Sequence, residues 1–150
     1  MRKIAITVFA AWFALAGVVA PAAAGLFSAT GIVIAILADD LFVGEAEGHL
    51  NGAGTLAIHS QKDPRLTCFG EFTSSALLSG SGQMHCSDGA SATFHFQRLT
   101  VRRGYGIGSF SRGAMSFTYG LSAEEAVPYL QLPDGKRLGS SANELKLVDL

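Results

Sequence analysis

The chain is short of the features that most chemistry requires. Cys68 and Cys86 are its only cysteines, and they do not form the C-x-x-C spacing of redox thiols. It has no G-x-S-x-G elbow to present a nucleophilic serine. It has no Gly-Lys-Ser/Thr ending of a phosphate-binding loop and no parallel strand-helix unit to carry one. Acidic residues are missing over a long interval, with none between Asp88 and Glu124. Its many serines sit in turns, where local hydrogen bonding accounts for them.

Hydrophobic content is high at 49%, but much of it is at the front. Arg2 and Lys3 precede an apolar run from Ile4 to Ala20, and Pro21-Ala22-Ala23-Ala24 follows. A basic tip, an apolar segment and an A-x-A ending make a signal peptide over residues 1–24, cleaved after Ala24. The run is short for a retained anchor, since a bilayer span needs about 20 apolar residues. No cysteine stands at the junction, which argues against a lipid-modified N-terminus. Removing Arg2 and Lys3 with the leader takes the formal charge from −1 to −3. That mild value argues against a general nucleic-acid binder. The expected location is the periplasm or the medium, with no stable membrane anchor after cleavage. An even cysteine count in an oxidising compartment then reads as one Cys68–Cys86 disulfide.

The remaining chain alternates with period two between glycine corners. Its central example is GSGQMHCSDG, Gly80 to Gly89, and weaker copies are GAGTLAIHS and GIGSFSRG. Phe42, Gly44, Ala46, Gly48 and Leu50 fall on one face, opposite Val43, Glu45, Glu47 and His49. Leu56 and Ile58 share a face, as do Cys68, Gly70 and Phe72. Met84 and Cys86, then Ala92, Phe94 and Phe96, then Met115, Phe117 and Tyr119, repeat the pattern. The apolar, β-branched stretch from Leu26 to Leu37 suits a strand buried on both faces. Asn51-Gly52 and Ser87-Asp88-Gly89 are turns, and Ser74 to Gly80 reads as a serine-rich turn around Leu77 and Leu78. Glycines inside strands need a packing reason, such as curvature or close strand approach. The expected fold is all-β: a small curved antiparallel meander or barrel of about seven to eight strands.

Ser122 and Glu125 form a capping box for one short helix, which Pro128 ends. That helix is expected to plug an open end of the barrel. The β domain is read as residues 25–138 and residues 139–150 as a flexible, Ser-rich tail.

Three constellations are candidates for chemistry. Glu45, Glu47 and His49 lie on one side of a strand and could offer a divalent cation two carboxylates and an imidazole. A solvated strand face explains the row more simply. His49, His59, His85 and His95 all fall on outward positions, and zinc or copper would require neighbouring strands to bring them together. Arg98, Arg102, Arg103 and Arg112, with Tyr105 among them, could take an anionic group. The plain reading of these arginines is a charged edge that discourages strand-to-strand aggregation.

The segments DDLFVGEAEGHLNGAGTLAIHS, CFGEF, CSDG and SRGAMSFTYGLSAEEAVPYLQLPDGKRL resemble small exported glycine-rich β proteins of proteobacteria. The resemblance implies a periplasmic or secreted protein and transfers no catalytic residue. The expectation is therefore a non-catalytic envelope module, binding or structural, with no cofactor and an envelope ligand or protein as partner. The alternatives are a small metal-dependent enzyme using the Glu45/Glu47/His49 row and an inhibitor of a hydrolase.

Overall fold

The two-residue alternation builds eight antiparallel strands, each paired with its neighbour in sequence. A computed structural model describes residues 28–150; the expected signal peptide lies outside the described residues. The strands are β1 Ser28–Leu37, β2 Asp40–His49, β3 Ala53–Ser60, β4 Thr67–Ala76, β5 Ser79–Cys86, β6 Ser91–Thr100, β7 Arg103–Phe110 and β8 Gly113–Tyr119. β1 pairs with β8 and closes the sheet into an up-and-down barrel. Eight strands give a lumen just wide enough for side chains to fill or for one small ligand to occupy. The turn between β4 and β5 is only Leu77-Leu78, tighter than the serine-rich turn expected, because pairing continues through Ser74↔Gly80 and Ala76↔Ser79.

One end of the lumen is full. Leu37, Phe42, Cys68, Met84, Ala92, Phe94, Phe110 and Met115 are buried there. Cys68 and Cys86 face each other across β4 and β5 and form the expected disulfide. The loop between β3 and β4 covers this end. Ser60 donates to Asp40 at 2.6 Å and accepts the amides of Lys62 and Asp63.

The strand glycines have a specific packing role. Five of them receive an aromatic ring from the directly opposite residue of the next strand. Phe72 lies on Gly54, Phe94 on Gly82, Phe96 on Gly80, Phe117 on Gly106 and Tyr119 on Gly104. A Cβ at any of these glycines would come within 2.1–2.4 Å of the ring or its hydroxyl. The rings of β4, β6 and β8 therefore fold sideways onto β3, β5 and β7. They meet edge to face, Phe72–Phe96 at 5.5 Å, Phe96–Tyr119 at 6.1 Å and Phe94–Phe117 at 5.2 Å between centroids, the geometry aromatic quadrupoles favour.

β1 is buried on both faces only over residues 33–37, where its outer face is also covered; Ile32, nearer the mouth, is 61% exposed. Ile34, Ile36 and Leu41 pack outward against Leu121, Ala126 and Leu130 of the C-terminal extension. That extension holds the short helix α1 Ala123–Ala126, a 3-10 turn Val127–Tyr129, and a hairpin of β9 Lys136–Ser141 and β10 Glu144–Asp149. Two expectations are corrected here. The helix does not plug an end of the barrel; its buried Ala126 packs on the outer wall, where β1 and β2 present apolar residues. Residues 139–150 are not an irregular tail. Leu138, Leu145 and Leu147 join the same outer cluster and order the hairpin, which runs to Asp149.

Candidate functional site

The other half of the lumen is hollow. A cavity of about 760 Å³ opens where the β2–β3, β4–β5 and β6–β7 turns cluster. This is within the usual range of ligand pockets, roughly 300–1,000 Å³. Its wall is apolar, with Val33, Ala46, Leu56, Ile58, Phe72 and Phe96 prominent, and Met115 and Phe117 toward the filled end. From Tyr119 near the mouth to Met115 is four residues of β8, about 13 Å at ~3.3 Å per residue.

Nearer the mouth, Phe72, Phe96 and Tyr119 lie back on Gly54, Gly80 and Gly104 and border the open space. Along β1, β2 and β3 the inward series also begin with a large side chain at the filled end and finish in glycine at the mouth: Leu37 to Gly31, Phe42 to Gly48, Ile58 to Gly54. The turns at the mouth carry unusual residues for water-facing tips. Leu50, Leu77, Leu78 and Val101 are between 65% and 91% exposed, and all four line the opening.

Polar side chains gather at the mouth end of the lining, among them Thr30, His49, Asn51 and Thr100, and three others converge. Arg98 continues the inward series Ala92, Phe94, Phe96 and is half-buried. Its guanidinium donates to the Ser74 hydroxyl. Arg98 pairs with Gly104, and Gly104 pairs with Tyr119. The Tyr119 ring thus crosses Gly104 toward Arg98. Burial raises the Tyr119 hydroxyl above its usual range, while the charge and close polar approach of Arg98 act in the opposite direction. The Tyr119 oxygen is buried without a hydrogen-bond partner of good geometry. Arg102 stands at the rim, and among the described residues no Asp or Glu lines the cavity. The ion pairs among the described residues engage neither Arg98 nor Arg102.

The arginine set expected from sequence is therefore divided. Arg98 and Arg102 belong to the cavity. Arg103 is on the outer wall, paired with Glu125 beside α1. Arg112 is at the filled end, where it donates to Asp88 at 2.7 Å and covers the Phe110 ring. Tyr105 points outward, stacks on Tyr129 at 4.4 Å and donates to Gln97. A single anion site built from all five is excluded, because the closed barrel sends these side chains to different faces and ends.

The acidic row is also corrected as a metal site. Among the described residues no group of three or more His, Cys, Asp or Glu side chains is placed to hold a metal ion. Glu45, Glu47 and His49 follow one another along β2 at alternate positions, about 7 Å apart per step, and do not converge on a point. The histidines are dispersed for the same reason. His59 faces Val43 and Thr67, His85 faces Phe69 and Ser91, and His95 faces Ser81 and Ile107.

Ser74 and Tyr119 escape a search of the sequence for charged clusters. Alternation contains the missing signal: Arg98 is in phase with Phe94 and Phe96, so it belongs to the lumen and not to a basic edge. No protein-family model matches the chain, and neither does any curated protein or solved structure.

Proposed function

We propose that the chain is an exported, non-catalytic β module that takes an apolar or amphiphilic small molecule into the open half of its barrel. The observation that carries this reading is the apolar cavity of about 760 Å³ with a mouth at one end. Export is supported by the leader-like residues 1–24 and by the disulfide, which persists in oxidising compartments. Among the described residues no helix is long and apolar enough to cross a membrane. The barrel's own alternation, with apolar side chains inward and Thr55, Glu71, Gln83, Thr93 and Gln97 outward, is the reverse of a lipid-embedded barrel. The exposed leucines of the rim give an entering apolar molecule a continuous non-polar path. Neither the metal-enzyme nor the hydrolase-inhibitor alternative gains an observation in its favour.

Titration with a neutral fluorescent probe, phenylnaphthylamine, tests the reading. Saturable uptake with a blue shift is expected. A Cβ at Gly48 would meet nothing nearer than the Phe72 ring at 3.9 Å, so Gly48→Leu places its side chain in empty space without strain. It should leave the melting temperature unchanged and weaken the probe by about tenfold or more, equivalent to ~1.4 kcal/mol. Absence of uptake, or equal uptake by folded Gly48→Leu, would refute cavity binding.

A further inference from the structure

We infer that the cavity selects a single-chain amphiphile with an anionic head group, held at the mouth by Arg98 with Ser74 and Tyr119 while the chain lies along the aromatic wall. The inference rests on the cavity-binding reading above and adds the chemical class of ligand and its orientation.

A guanidinium inside an apolar wall is costly unless it is paired, since low polarity penalises an uncompensated charge. Arg98 has only neutral neighbours, the Ser74 hydroxyl that accepts from it and the Tyr119 hydroxyl close beside it. No carboxylate among the described residues lines the space. An anion supplied from outside would give it the missing partner, and the planar guanidinium fork suits carboxylate or phosphate oxygens. The buried, unpartnered Tyr119 hydroxyl is the second donor directed to the same place. Burial favours its protonated form, so it can donate to an oxyanion. The row Tyr119–Gly104–Arg98 is continuous across β8, β7 and β6. Glycine at its centre is what allows the phenol to lie beside the guanidinium, because a Cβ at Gly104 would stand 2.3 Å from the Tyr119 oxygen.

Orientation follows from position. Arg98 is near the end of β6 and Tyr119 ends β8, both at the open end, with Arg102 on the rim above them. Toward the filled end the lining is Leu56, Ile58, Met115 and Phe117, which offers a head group nothing and a hydrocarbon chain a great deal. The head stays at the mouth and the chain goes in first. The rim's exposed leucines and valine then surround the point where the head group meets solvent.

The test compares ligands with one tail and different heads: dodecanoate, dodecyl phosphate and dodecanol, each displacing phenylnaphthylamine from the full chain expressed with its leader and purified from the exported fraction. Dodecanoate or dodecyl phosphate should bind about tenfold or more tighter than dodecanol, the effect of one charge-assisted hydrogen-bonded contact. The tighter of the two anions identifies the head group. Arg98→Gln should bring the acid and the alcohol within about twofold. Arg98→Lys should restore part of the preference, because charge without the fork remains. Tyr119→Phe should reduce the preference by a few-fold without abolishing it. Equal binding of acid and alcohol by the unaltered protein would overturn the inference. So would a preference that survives Arg98→Gln. Failure of the neutral probe to bind at all would instead sink the cavity reading on which the inference rests.

Discussion

The filled and hollow halves of the lumen are built from the same eight strands, yet one is a core and the other a container. Toward the closed end the inward positions are Leu37, Phe42, Met84, Phe94, Phe110 and the Cys68–Cys86 pair. Toward the mouth the same strands present Gly31, Gly48, Gly54, Ser74, Gly80 and Gly104. Strand number sets the circumference and is common to both halves. Side-chain volume, and the sideways lie of Phe72, Phe96 and Tyr119 on their glycines, then decides where space remains. A container can thus be attached to a core without any change of topology.

Removing a ring from each half gives the largest expected effect. Phe94 is 2% exposed and packs between Phe117 and the Gly82 backbone. Phe94→Ala should destabilise by about 3–5 kcal/mol, the cost of a new cavity in a filled core. Phe72 already borders empty space, so Phe72→Ala removes contacts on one side only. Its cost should be clearly smaller, measured by denaturant midpoint at constant slope. Equal losses would mean that the two halves are packed alike.

The disulfide sharpens the same contrast. It closes a span of 18 residues between β4 and β5 within the filled half. A double Cys68→Ser/Cys86→Ser variant should lose roughly 3 kcal/mol by the chain-entropy argument, whose physical origin is model-dependent. Reduction of the unaltered protein should give a similar loss. Neutral-probe affinity should persist in the fraction that remains folded, because the bond lies away from the mouth.

The barrel itself was legible in the sequence because alternation is local. Ala92, Phe94 and Phe96, or Met115, Phe117 and Tyr119, state their inner face without reference to distant residues. The disulfide was legible because only two cysteines existed to pair. The capping box was legible for the same reason, and Glu125 and Ser122 exchange both hydrogen bonds, at 2.9 and 3.2 Å. What sequence could not give was the level of a residue along the barrel axis. Arg98, Arg103 and Arg112 look like one basic stretch, yet closure sends them inward, outward and to the far end. Nor could it show the outer cluster, since Leu138, Leu145 and Leu147 lie in and beside a Ser-rich segment whose cover, Ile34 and Ile36, is far upstream in the chain.

The C-terminal extension gives the smallest and most selective effect. It reinforces the wall near the filled end, where Ile36 and Leu41 face outward. Ser122→Ala removes the N-cap and should cost about 1 kcal/mol, seen as faster amide exchange in α1 with unchanged probe binding. Glu125 adds a pH signature. Its carboxyl is held below its usual range, first by the Ser122 backbone N–H and then by Arg103. A depressed carboxylate stabilises above its unfolded value and loses that contribution as pH falls through its folded one. Protection factors in α1, with the intrinsic exchange rate divided out, should therefore fall on acidification below the ordinary carboxylate range, and Glu125→Gln should flatten that dependence. If the neutral probe is released over the same pH range, the extension and the hollow half are coupled; retention of the probe means that the container stands without its outer brace.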